Sequence, residues 1–144
     1  MPKSSTQFES FVSPEELRAI VIDVEKYPEF LPEVKKVEVR TRTADSFLAT
    51  FHVQVKVAGV DVKTEYTVRY ELGETEVTWA LEESPNLTKN EGKWRFEETA
   101  DGETKAWYEA EIETTLPLSP ELQKMFADQE LPRMMQRFRD RAEA

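Results

Sequence analysis

From Val37 to Thr114 apolar and polar residues alternate almost one for one, interrupted only by short turn sequences. A period of two puts successive side chains on opposite faces of a strand, so this stretch reads as a run of strands, each apolar on one face and charged on the other. Val37, Val39 and Thr41 alternate with Lys36, Glu38, Arg40 and Arg42. Phe47, Ala49, Phe51, Val53, Val55 and Val57 alternate with Leu48, Thr50, His52, Gln54 and Lys56. Val60, Val62, Thr64, Tyr66, Val68, Tyr70 and Leu72 alternate with Asp61, Lys63, Glu65, Thr67, Arg69 and Glu71. The apolar face continues through Val77, Trp79 and Leu81, then Trp94 and Phe96, then Ala106, Tyr108, Ala110, Ile112 and Thr114. The breaks fall at Thr43-Ala44-Asp45, Ala58-Gly59, Gly73-Glu74, Ser84-Pro85-Asn86 and Asp101-Gly102, the last a strong hairpin signal. Six strands joined this closely form an antiparallel meander, and its apolar face must be covered by something else in the chain.

The cover is read on either side of the meander. Thr6 to Val12 reads as a further strand, with Phe8 and Val12 on one face. Ser13-Pro14-Glu15-Glu16 then opens a helix, with Ser13 as N-cap, Pro14 at the first helical position and Glu16 completing a capping box. Leu17, Ile20, Val21 and Val24 follow as an inward stripe. The helix ends before Pro28, and Tyr27-Pro28 and Leu31-Pro32 frame a stiff corner rich in apolar side chains. Such a corner plugs the end of a core or forms the mouth of a cavity. At the other end, Ser119-Pro120-Glu121 repeats the cap-then-proline start. Leu122, Met125, Phe126, Leu131, Met134, Met135 and Phe138 form a long helical stripe that Pro132 should kink near Ala127–Leu131. Arg133, Arg137, Arg139 and Arg141 crowd the last turns, where they suit the helix dipole and solvent. The expected fold is α+β: a curved antiparallel sheet of about seven strands wrapped around a long C-terminal helix, with one or two short helices after the first strand. It takes up residues 1–144 as a single domain.

One helix laid on so long a curved sheet need not fill it. A pocket between sheet and helix is expected, walled by Tyr27, Phe30, Leu31, Phe51, Tyr66, Tyr70, Trp79, Trp94, Tyr108, Met125, Met134 and Met135. Tyrosine hydroxyls and indole N–H groups would orient a ligand there, Thr64 and Thr114 would add polar contacts, and methionines suit an adaptable wall. The plain alternative for each of these residues is core packing.

Composition removes other chemistries. With no cysteine there is no disulfide, thiolate metal site or cysteine nucleophile. The one histidine, His52, falls on the charged face of its strand, and no metal site is read. The four glycines, Gly59, Gly73, Gly92 and Gly102, read as turn punctuation rather than a phosphate loop. Glu109, Glu111 and Glu113 read as a solvated strand face, and Trp107 as an exposed outer residue. A net charge of −10 works against nucleic acid or an anionic membrane as partner, and no cofactor is expected. No secretory signal or membrane span is read, so a cytoplasmic location is the expectation.

The chain resembles the START-like, or polyketide cyclase/dehydrase-like, helix-grip superfamily, and within it the coenzyme Q-binding protein family. The resemblance rests on Asp23-Val-Glu-Lys-Tyr-Pro-Glu-Phe-Leu-Pro32, on Ser84-Pro-Asn-Leu87 followed by Gly92-Lys-Trp-Arg-Phe96, and on Met134-Met135, Phe138, Arg141 and Ala142. Glu33-Val34 stand where that family often has Trp-Cys, and Ser84 and Leu87 where Gly and Phe are usual. The resemblance implies a cavity for a hydrophobic small molecule such as an isoprenoid quinone, another lipid or a polyketide. It also implies relatives that are aromatase/cyclases and a branch associated with ribosomes. Binding, cyclase or dehydratase catalysis, and an adaptor role on the ribosome therefore all stand as readings, binding being favoured because no catalytic set converges.

Overall fold

The structure is a computed structural model that describes residues 3–57, 59–85, 87–114, 121 and 131–144. Seven strands form one antiparallel sheet: β1 (Lys3–Ser10), β2 (Val34–Arg40), β3 (Ser46–Val57), β4 (Val60–Leu72), β5 (Glu76–Glu83), β6 (Leu87–Glu98) and β7 (Thr104–Thr114). The order across the sheet is β1-β7-β6-β5-β4-β3-β2, the expected meander with the N-terminal strand added at its far side. β1 and β2 are thus opposite edges, and the segment joining them has to cross the whole width of the sheet. That segment is helix α1 (Pro14–Ile22) followed by a short 3-10 turn (Val24–Glu29). The C-terminal helix α2 (Leu131–Glu143) packs on α1 and β1.

Local chemistry explains the boundaries. The Ser13 hydroxyl accepts from the Glu16 backbone N–H at 3.2 Å, and Pro14 starts α1, as the capping signal indicates. The Glu16 carboxylate takes the Ser13 hydroxyl at 3.3 Å, so the second half of the box closes on the cap's side chain. Leu17, Val21 and Val24 are fully enclosed. Pro28 lies inside the 3-10 turn, and Phe30 and Leu31 N–H groups both donate to the Tyr27 carbonyl, pinning the corner.

Several expectations need correction. β1 ends at Ser10 rather than running to Val12. Phe11 turns outward while Val12 is buried ahead of the helix, because its carbonyl is held by the Thr104 hydroxyl at 2.8 Å. Gly92 is not a turn residue but stands inside β6. A Cβ there would lie 2.3 Å from the Glu109 carbonyl oxygen and 2.6 Å from the Trp79 indole, so the strand can pass that ring only without a side chain. Trp107 is half-buried, with Arg95 stacked 4.3 Å from its centroid and Lys105 at 5.1 Å. The glutamate row is not simply solvated, since Lys89 reaches Glu111 at 2.6 Å and Lys93 reaches Glu109 at 3.9 Å. Ile112 keeps the inward phase but is exposed. On the outer face Thr50 and Thr67 are buried, joined hydroxyl to hydroxyl at 2.8 Å under the Arg40 guanidinium. Ser119, Pro120, Leu122, Met125, Phe126 and the kink expected ahead of Leu131 lie outside the described residues, as does the side chain of Thr114. No helix among the described residues is long and apolar enough to cross a membrane.

Candidate functional site

Cross-strand register brings the inward aromatics together. Phe47 lies opposite Tyr70, Phe51 opposite Tyr66, Tyr70 opposite Trp79, and Trp94 opposite Tyr108. Side chains paired in this way stand close enough for their rings to touch. Phe51 stacks on Tyr66 at 5.3 Å between centroids, and Phe47 on Tyr70 at 4.8 Å.

The helical elements close what the sheet begins. Tyr27, from the 3-10 turn, meets Phe51 at 6.0 Å and Phe138 of α2 at 5.2 Å. Phe138 meets Trp94 at 5.0 Å, Trp94 meets Tyr108 at 5.0 Å, and Tyr108 meets Trp79 at 5.5 Å. Trp79 meets Tyr70 at 6.0 Å and Tyr70 returns to Phe51 at 6.4 Å. The rings thus form a closed circuit that runs from the corner, over the C-terminal helix and back across the sheet. Phe30 packs on both Tyr27 and Phe138. Leu31 and Met135 are buried in the same core, and Met134 lies against it. Of the residues read as a pocket wall, only Met125 lies outside the described residues.

The polar atoms inside this circuit follow a definite pattern. The Tyr27 hydroxyl donates to the Val21 carbonyl at the end of α1. The Trp79 indole N–H donates to Asn90 Oδ1 at 3.0 Å, and Asn90 is almost completely enclosed. Burial pushes the hydroxyls of Tyr27, Tyr70 and Tyr108 well above their ordinary value and that of Tyr66 up to about 12, the last opposed by its hydrogen bond with Asn90. All four are therefore neutral proton donors, and none is a base near neutral pH.

Two of the four tyrosines are buried and two are only partly enclosed. Among the described residues every fully enclosed side-chain polar atom has a partner. Tyr27 and Tyr70 are buried, whereas the Tyr66 and Tyr108 side chains keep some exposed surface.

Asn90, bonded to Trp79, and Phe138, packed on Tyr27 and Trp94, join the residues read as a wall but were left out of it in the sequence reading. Asn90 stands two positions before Gly92 on the phase of Trp94 and Phe96, which was the available signal.

β5 and β6 pair only from Glu76↔Arg95 to Trp79↔Gly92 and then part. Behind Trp79 and Gly92 this leaves an outer hollow of about 390 Å³ rimmed by Arg69, Glu82, Lys93, Glu109 and Glu111. Its charges are already matched, Arg69 with Glu82 at 3.0 Å and Lys93 with Glu109, and it lies on the face away from the hydroxyls. A charged, open rim does not suit an apolar ligand. No group of His, Cys, Asp and Glu among the described residues could hold a metal ion.

A sheet gripping a C-terminal helix around an aromatic, hydroxyl-bearing interior defines the helix-grip class. Over residues 12–139 the sequence matches the polyketide cyclase/dehydrase and lipid transport family, and the chain belongs to that family. A START superfamily protein from Mycobacterium smegmatis shares the fold with a TM-score of 0.79 at 20% identity, over 98% of this chain and 97% of that one. The Zhui aromatase/cyclase from Streptomyces sp. R1128 superposes with a TM-score of 0.82 at 17% identity, over 99% and 93%. Human STARD10 gives 0.78 at 12% identity, over 97% of this chain and 62% of the other. At these identities the structures establish the START helix-grip fold. No curated protein matches the sequence.

Proposed function

We propose that the chain binds a hydrophobic small molecule, such as a quinone, lipid or polyketide, in the space enclosed between the sheet and the C-terminal helix. The observation that carries this is the closed circuit of aromatic rings joining the sheet, the corner and the C-terminal helix, against which Tyr66 and Tyr108 stand only partly enclosed. Plain core packing would enclose both side chains as it does Tyr27 and Tyr70. Rings supply apolar and stacking surface, and the hydroxyls fix orientation. The family match and the fold support the same reading.

Native mass spectrometry of the purified chain, with solvent extraction of what it carries, tests the proposal. The expected result is a stoichiometric apolar adduct, or uptake of added 2-methyl-1,4-naphthoquinone at one per chain. A chain that never retains or takes up a quinone, lipid or polyketide analogue would overturn it.

Cyclase or dehydratase chemistry is the second reading, favoured by the same two hydroxyls, which could protonate or polarise a carbonyl held in the cavity. It predicts turnover of a poly-β-ketone analogue that the Tyr66→Phe/Tyr108→Phe double variant loses while still binding it. The binding reading predicts no turnover by either protein.

A further inference from the structure

We infer that β1 is a self-association edge: two copies of the chain join along it in antiparallel register about Thr6, so that their sheets run on as one. This is independent of the ligand site proposed above.

The two edges of the sheet are built differently. β2 carries the devices that keep an edge strand from pairing: the charged residues Lys35, Lys36, Glu38 and Arg40, a bulge between Val34 and Lys36, and Pro32 just ahead of it. From Ser4 to Phe8, β1 has no charge, no proline and no glycine. It pairs with β7 along its whole length without a shift of register, so its other side is a regular row of backbone donors and acceptors at the end of the sheet. Such a row is a template for a further strand.

Charge selects a second copy as that strand. A twofold axis through Thr6 sets Ser5 opposite Gln7 and Ser4 opposite Phe8, each contact made twice. It also sets Glu9 opposite Lys3, the only two charged residues of β1. Within one chain Glu9 stands opposite Lys105 and Lys105 opposite Glu97, while Lys3 stands opposite Glu111. The joint therefore continues an alternation of sign from sheet to sheet: Glu97, Lys105 and Glu9 of one copy, then Lys3 and Glu111 of the other. Opposite charges facing each other across strands stabilise the pairing. Moving the axis by one residue in either direction removes the match of Glu9 with Lys3.

Sedimentation equilibrium of the full chain tests this. Wild type should show a reversible monomer–dimer equilibrium, with a Kd on the order of micromolar for so small an interface. Glu9→Lys and Lys3→Glu should each dimerise roughly tenfold more weakly, since each variant faces like charges twice, and a mixture of the two should regain the wild-type affinity. Because the chain has no cysteine, Thr6→Cys gives an independent reading of the register. Under mild oxidation it should cross-link two copies across the axis. Ser4→Cys, whose mate would lie about 13 Å away along the strand, should not. Circular dichroism verifies that each variant is folded. A wild type that stays monomeric at near-millimolar concentration overturns the inference. So does a dimer that both charge variants leave unchanged, or one in which Ser4→Cys cross-links as readily as Thr6→Cys.

Discussion

At the scale of single residues, three positions show how narrow the local tolerances are. Gly92 has no room for a methyl group, because backbone on one side and the Trp79 indole on the other would both be struck. Gly92→Ala should cost about 3 kcal/mol in urea unfolding, with Trp79 displaced and its fluorescence changed. Thr41 adopts φ 53°, a left-handed conformation that a β-branched residue enters only under strain. Thr41→Gly should therefore raise stability by about 1 kcal/mol despite glycine's greater freedom in the unfolded chain, measurable as a higher Tm. A lower Tm would show that the turn does not strain this residue. The side-chain alternation identified which residues face inward. It could not show which of them converge, because that depends on strand register. Tyr66 and Tyr108 look alike in the sequence as inward tyrosines, and so do Tyr27 and Tyr70. Only the fold separates Tyr27 and Tyr70, which are buried, from Tyr66 and Tyr108, which are partly enclosed.

At the scale of elements, the α1–corner segment and helix α2 act together as the clamp over the sheet. Phe138 touches Tyr27, Phe30 and Trp94, three different parts of the chain, and is fully enclosed. Phe138→Ala should cost about 3–5 kcal/mol and loosen α2, seen as faster amide exchange along 131–143. Exchange that quickens uniformly across the sheet instead would argue that α2 is not a separable clamp. The helix end is tied by Arg141, which reaches Glu29 at 2.7 Å and lies over Phe30, and by Glu143, which accepts from the Ser10 hydroxyl at 2.7 Å. The sequence reading assigned these arginines to the dipole and to solvent; for Arg141 the structure shows a specific tie to the corner. Its pair is exposed, so Arg141→Gln should cost less than about 1 kcal/mol. The element types and order were legible because capping residues, prolines and periodicity agree at each boundary. The partner of each helical face was not, since a stripe such as Met134, Met135 and Phe138 reports burial without naming what lies opposite.

At the scale of the whole molecule, the interior is built from neutral hydroxyls that resist ionisation. A group whose folded pKa lies above its unfolded value stabilises the fold fully below the unfolded pKa and loses that contribution as pH rises. For these tyrosines the loss begins near pH 10 and, for Tyr66, continues to about 12. Each contributes a slope of up to about 1.4 kcal/mol per pH unit in that window. Alkaline unfolding should therefore be steep, with tyrosinate absorbance rising together with loss of circular dichroism. Tyrosines that titrate near pH 10 while the fold persists would contradict their burial.

The central claim is that the aromatic circuit encloses a ligand space bordered by Tyr66 and Tyr108. The most direct test is isotope-filtered NMR of labelled protein saturated with unlabelled 2-methyl-1,4-naphthoquinone. The account predicts intermolecular contacts from the probe to ring protons of Tyr66, Tyr108, Trp79 and Phe51. Contacts confined to outer residues such as Trp107, or the absence of saturable binding, would contradict it.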